Sequence, residues 1–217
     1  MRQIRSVFPR YQKRRGVRPG GYLRRKATGP LSLLSLQKPR SDNKHTMKAI
    51  VYDAPRKFEY RNVDIPKIQP NEILLRVHAY GVCGTDLHLH EGDFGPRFPL
   101  TPGHEFPGEI VELGSEVTGL KKGQRATAST TMACGKCFCC QRGDFLQCEN
   151  LDGIGVEING AFAEYIKLRS DLVFPIEKLS VRESVMVEPT ACAVHGMETL
   201  DKAKTVRCEP GLGSAAP

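Results

Sequence analysis

The chain has 217 residues, 40% of them hydrophobic, which is enough for an ordinary core in one large domain or two small ones. No run approaches the ~20 consecutive apolar residues of a membrane-spanning helix, which excludes a helix-spanned membrane protein. The net charge of +8 is unevenly placed: residues 1–46 hold 13 Lys+Arg against one acid, whereas the remainder holds 19 basic and 23 acidic residues, so no nucleic-acid-binding surface is expected in that remainder.

Residues 1–46 are Arg-rich, Ser-containing and acid-poor, and Pro9, Pro19, Gly20, Gly21 and Pro30 interrupt them. That composition resembles a mitochondrial targeting presequence. A disordered basic leader, or upstream sequence translated from an over-long gene model, fits it as well, and Met47-Lys48-Ala49 is a natural start. The expected location is cytoplasmic, or mitochondrial if residues 1–46 are a presequence.

From Met47 the pattern changes to short strands and turns. Residues 48–53 are strand-like. Ile73, Leu75, Val77 and Ala79 alternate at period 2 and give one apolar face. That strand is expected to run directly into Gly81-Val82-Cys83-Gly84. Further strands are expected over 109–113, 124–129, 163–168 and 171–175, with turns at Gly114-Ser115, Lys122-Gly123 and Asn159-Gly160. A helical pair follows. Ser180-Val181-Arg182-Glu183 has the form of a capping box. Pro189 suits the first turn of a second helix, because its missing N–H would have no partner there, and that helix should run to residues 202–204.

Of eight cysteines, five fall within residues 134–148, and no apolar secretory segment opens the chain. Reduced thiolates on metal are therefore expected rather than disulfides. The spacing is Cys134-x2-Cys137-x2-Cys140-x7-Cys148. Four thiolates fill a tetrahedral zinc shell and leave no open position, so such a site is structural. Cys139 is an alternative third ligand; Cys140 is preferred because its spacing repeats that of the preceding pair. A redox dithiol, or unrelated surface thiols, is the competing reading.

A second group is more scattered. Gly103-His104-Glu105 lies in a loop framed by Gly and Pro, and Cys83 ends the run that begins at Ile73. A catalytic zinc needs about three protein ligands and one open position. Taken singly, each residue reads more readily as structural: a hydrogen-bonded histidine, or a cysteine used as a small apolar filler.

The motifs join them. Gly103-His104-Glu105-x2-Gly108-x5-Gly114-x2-Val117, Gly81-Val82-Cys83-Gly84-Thr85-Asp86-Leu87-His88, the four-cysteine lobe, Gly160-Ala161-Phe162-Ala163-Glu164-Tyr165 and Glu188-Pro189-Thr190-x3-Val194-His195 all resemble the zinc-containing medium-chain alcohol/polyol dehydrogenases. The resemblance covers residues 47–204. Glu188, where other alcohol dehydrogenases have Cys, points to the sorbitol, arabinitol and threonine dehydrogenase branch. Gly123-Gln124-Arg125-Ala126 departs from the usual Gly-Asp-Arg-Val.

The resemblance implies a mainly β fold with peripheral helices, a GroES-like partly open β-barrel. It implies two Zn²⁺ per chain: a catalytic one on Cys83 and His104, with Glu105 a ligand in some states and Glu188 either a ligand or a hydrogen-bond partner of the metal's water, and a structural one on Cys134, Cys137, Cys140 and Cys148. Thr85 would pass the alcohol proton toward solvent, assisted by His88. Zinc would act as a Lewis acid on the substrate hydroxyl, and hydride would pass to NAD or NADP.

The same family continues into a Rossmann domain. After Thr205-Val206 this chain reads Arg207-Cys208-Glu209-Pro210-Gly211-Leu212-Gly213-Ser214-Ala215-Ala216-Pro217. Gly211-x-Gly213-x-x-Ala216 fits a dinucleotide fingerprint only superficially, since no helix follows it. The expectation is a catalytic domain at 47–204 and an aberrant tail at 205–217, with the Rossmann cofactor domain truncated away. NAD(P) would then not bind this chain, and turnover would be small. Three functions compete: a zinc-dependent oxidoreductase acting on a secondary alcohol or polyol, a catalytically inactive zinc-binding fragment, and a nucleic-acid-binding zinc protein. The balance of Lys136 and Arg142 against Asp144 and Glu149 disfavours the last. Partners are a small-molecule alcohol or polyol, with no nucleic acid and no membrane, and an oligomer only through the cofactor domain.

Overall fold

The computed structural model describes residues 45–93 and 95–205. The basic leader, apart from its last two residues, and the tail beyond Thr205 lie outside the described residues.

Strand β1 (Thr46–Ala54) pairs antiparallel with β2 (Lys57–Asp64) in a hairpin turned at Pro55 and Arg56, where Arg56 takes a left-handed φ of 60°. β3 (Glu72–Val77), β4 (Gly108–Leu113), β5 (Arg125–Ala128), β8 (Tyr165–Arg169) and β9 (Val173–Pro175) form one antiparallel sheet in the order β8-β3-β4-β5-β9. Between them, β6 (Thr131–Met132) and β7 (Asp152–Gly153) pair as a short ribbon at the base of the cysteine lobe. Single bridges Ala49↔Ala163 and Tyr52↔Leu100 tie the hairpin to the rest. Among the described residues β8 and β9 remain the free edges of the sheet, so the strands do not close into a barrel.

Burial explains which strands are legible in the sequence. The core is Ile73, Leu75, Phe106, Ile110, Ala126 and Ile166 with their neighbours. Leu74 is buried as well, so β3 is covered on both faces and not on one. It ends at Val77; Ala79 lies in the loop that follows, and the expected direct run of strand into Gly81 does not occur. The expected strand over 171–175 begins as a 3₁₀ turn, Ser170–Leu172, and becomes strand only at Val173. β2 was not expected. Most of its side chains are exposed, so no buried face marks it.

Helix α1 (Gly84–Glu91) was not expected either. Cys83 is its extended N-cap residue, and the backbone N–H of Cys83 donates to Asp86 Oδ2 at 2.8 Å. Gly92 ends the helix in a left-handed conformation, φ 88°. Leu89 is its one buried apolar side chain, packed near Tyr52 and Leu100. One turn, α2 (Phe138–Gln141), lies in the cysteine lobe. In α3 (Val181–Val185) Ser180 Oγ accepts from the N–H of Glu183, and Glu183 Oε2 accepts from the N–H of Ser180. α4 (Val187–Thr205) follows with Pro189 in its first turn. No helix among the described residues is long and apolar enough to cross a membrane.

The segment before β4 has no regular structure but is closely held. The N–H groups of Gly160, Ala161 and Phe162 donate to the carbonyls of Thr101, Gly103 and Pro102 at 2.6, 2.9 and 2.9 Å. Gly103 has φ 97°, and a Cβ there would overlap the Phe162 ring. Gly103→Ala is therefore expected to cost on the order of 1–3 kcal/mol, read as a lower denaturant midpoint with an unchanged slope.

Candidate metal centre

Two main-chain contacts bring the first group together. Gly81 N–H donates to the carbonyl of Glu105 at 2.8 Å, and His78 N–H to that of Pro107 at 3.0 Å. The loop leading to Cys83 therefore runs alongside residues 105–107. Phe106 sits in the core at 1% exposure, and its carbonyl accepts from the buried Thr127 hydroxyl at 2.7 Å. His104 and Glu105 are thus presented beside Cys83. One donor atom from each of Cys83, His104 and Glu105 lies within 4.8 Å of the others.

Behind His104 stands Asp86. Both are buried, at 8% and 6% exposure. His104 Nδ1 lies 3.9 Å from Asp86 Oδ1, and neither atom has a hydrogen-bond partner. Closing that gap by about 1 Å would make a hydrogen bond. Two buried polar atoms facing each other in this way suit a metal-ligating histidine, whose second ring nitrogen is held by a carboxylate. With Asp86 facing Nδ1, Nε2 would be the ring nitrogen available to a metal. In the sequence Asp86 stands within the Gly81–His88 motif with no role of its own; its one signal is its place three residues after the Cys83 N-cap.

Glu188, in the first turn of α4, is outside the group of three, but its charge reaches it. Burial pushes the Glu105 carboxyl above the usual range, and the Glu188 carboxylate pushes it further; His104 and the Cys83 thiol oppose them. Cys192, one turn along α4, donates its thiol to Glu188 Oε1 at 3.3 Å. That hydrogen bond, more than burial, raises the Cys192 thiol. Sequence reasoning gave Cys192 no part; its spacing of four from Glu188 on a helix was the available clue. A thiol, an imidazole and a carboxylate within 4.8 Å of one another, with the Glu188 charge acting on them from outside, could hold a divalent cation, and the sulfur and nitrogen content suits zinc.

The two proposed relay residues part company. Thr85 Oγ1 lies 3.7 Å from Cys83 Sγ, beside the group. His88, farther along α1, has Nδ1 2.8 Å from Asp93 Oδ2 and is exposed.

The second group is the cysteine lobe. The sulfurs of Cys134, Cys137, Cys140 and Cys148 lie within 4.8 Å of one another. Cys134–Cys140 and Cys137–Cys148 are 4.0 and 3.9 Å apart. A tetrahedron with zinc–sulfur bonds of about 2.3 Å has edges of about 3.8 Å, so the lobe fits zinc. Gly135 and Gly143 take positive φ, 74° and 84°, at its turns. The backbone N–H groups of Cys134 and Asn150 point at Cys148 Sγ, at 3.2 and 3.4 Å. N–H groups of Lys136 and Cys137 bring the Cys134 thiol down to about 6, whereas burial pushes Cys140 up to about 12. Cys139 is not in the four-sulfur group, and burial raises its thiol. Arg169 Nη1 donates to the carbonyl of Ala133 at 3.3 Å and ties the lobe to β8.

Asp86→Asn keeps the shape but removes the charge facing His104. It is expected to weaken metal binding at the Cys83 group by about 10- to 100-fold, read by chelator competition, and to leave the four-cysteine lobe unaffected.

Comparison with known proteins gives this arrangement a family. The family model described as the alcohol dehydrogenase GroES-like domain matches residues 69–178. The chain is 48% identical over 165 residues to D-arabinitol dehydrogenase 1 of Uromyces fabae, covering 76% of this chain and 46% of that protein. It is 37% identical over 155 residues to a sorbitol dehydrogenase of Halalkalibacterium halodurans, covering 70% and 45%. A solved structure described as a zinc-binding dehydrogenase from Sinorhizobium meliloti 1021, bound to NADP, superposes with a TM-score of 0.69 at 39% identity, covering 71% of this chain and 45% of that one. The chain thus spans about half the length of the relatives it matches. It belongs to the alcohol dehydrogenase GroES-like family, among the zinc-containing medium-chain alcohol and polyol dehydrogenases.

Proposed function

We propose that this chain carries the metal and substrate side of a nicotinamide-linked oxidation of a secondary alcohol, with an arabinitol- or sorbitol-like polyol as the substrate class. The observation that carries the reading is the convergence of Cys83, His104 and Glu105 within 4.8 Å, with buried Asp86 behind the histidine. The names of the relatives support the substrate class. The relative with NADP bound supports a nicotinamide as hydride acceptor in the whole protein.

Cys83, His104 and Glu105 would hold a zinc ion, with Glu188 adjoining. Bound there, zinc supplies Lewis acidity to the substrate hydroxyl. Asp86 would fix the tautomer and tilt of His104 from behind once the 3.9 Å gap between them closes to a hydrogen bond. Thr85 Oγ1, beside Cys83, would accept the hydroxyl proton while passing its own toward solvent, since a hydroxyl can donate and accept at once. Glu188, steadied by Cys192, would keep a second carboxylate at the rim, where it can accept a hydrogen bond from the substrate or from the entering metal's water. The four-cysteine lobe, closed by its own thiolates, has no open position and would act only in stability.

The test uses the protein as its source cells make it, after its intact mass is read. It is assayed on D-arabinitol, sorbitol and L-threonine with NAD⁺ or NADP⁺. The expected result is polyol-dependent reduction of the nicotinamide that falls at least 10³-fold in Cys83→Ser, on the order expected for removing a group that holds the catalytic metal. A mass near 24.1 kDa with no turnover would instead favour an inactive zinc-binding fragment.

A further inference from the structure

The Glu105 carboxylate occupies space that a side chain would otherwise fill. A Cβ built on Gly81 would overlap Glu105 Oε2 and lie 3.2 Å from both Cβ and Cδ of Glu105. Gly81 is not among the glycines with positive φ, so its backbone conformation is open to any residue. Its requirement is room, and the atoms that take the room belong to Glu105. The contact is close because Gly81 N–H is bonded to the Glu105 carbonyl, which fixes the two main chains side by side. Gly84, on the other side of Cys83, is different: a Cβ there meets nothing within 4 Å. Gly81, two residues before the cysteine, and Gly84, directly after it, thus have unlike surroundings.

We infer that Gly81 is a positioning residue for Glu105: its bare Cα is the berth that keeps the Glu105 carboxylate facing Cys83 and His104. The inference rests on the metal reading above. Any side chain at 81 must displace the carboxylate, since the main-chain bond prevents the two segments from separating. That displacement would draw the carboxylate away from the donor atoms of Cys83 and His104. Gly81 would thereby set whether Glu105 is available as a ligand at all.

The experiment compares Gly81→Ala, Glu105→Ala, the double variant and Gly84→Ala in the full chain. Zinc occupancy is read by native mass spectrometry during chelator competition. Cobalt is then substituted, and its absorption reports the ligand set. Gly81→Ala should weaken the Cys83 group's hold on metal by about 10- to 100-fold and shift the cobalt spectrum to that of Glu105→Ala. The double variant should be no weaker than Glu105→Ala alone, because the glycine acts only through that carboxylate. Gly84→Ala should match the parent, and the four-cysteine lobe should keep its metal throughout. Should Gly81→Ala fail to fold, adding Glu105→Ala should restore folding by removing the overlap. Parent-like binding in Gly81→Ala, or additive losses in the double variant, would overturn the berth and leave the metal reading standing. A parent protein with no metal at the Cys83 group would overturn both.

Discussion

The metal centre hangs on a stretch of chain with no helix or strand of its own, residues 101–107, which is gripped through its main chain from two sides. Gly160, Ala161 and Phe162 donate to it on one side, and His78 and Gly81 on the other. Such a grip satisfies backbone groups that would otherwise be buried without partners. It also demands closeness that side chains would prevent. A Cβ on Gly160 would collide with the carbonyl of Gly103, and one on Gly155 would approach its backbone within 3 Å. Glycines here are spacers of zero thickness. Because the main chain is fixed at each step, His104 and Glu105 are aimed beside Cys83 while Phe106 enters the core.

Charge is the second constraint. Burial and the Glu188 and Asp86 carboxylates act on Glu105 in one direction, and His104 and the Cys83 thiol in the other. Without a cation, Glu105 and Cys192 are both moved toward their protonated forms. A divalent ion beside Glu105 would oppose that shift. The lobe solves its own charge problem differently. Backbone N–H groups stabilise sulfur at Cys134 and Cys148, as expected of a pocket shaped for thiolates.

Much of this was legible in the sequence, and for identifiable reasons. The cysteine spacing encodes a local turn, so the four sulfurs could be grouped from their positions alone. The Ser180–Glu183 box and Pro189 act within one helical turn, and both fall where expected. β4 shows itself by burial of alternate residues. By contrast, β2 has no buried face, and α1 buries only Asp86 and Leu89, so neither carries a periodic apolar signal. The grouping of Cys83, His104 and Glu105 needed the family resemblance, because nothing in residue spacing brings positions 83 and 104 together. Asp86 behind His104 and the berth at Gly81 are contacts across space. A linear pattern does not express them.

The most direct test is the zinc content of the purified full chain beside that of Cys83→Ser, Cys140→Ser and Cys139→Ser. Two metals per chain, falling to one in each of the first two variants and unchanged in the third, is the predicted result. One metal per chain, lost with Cys140→Ser and indifferent to Cys83→Ser, would contradict a metal centre at Cys83, His104 and Glu105.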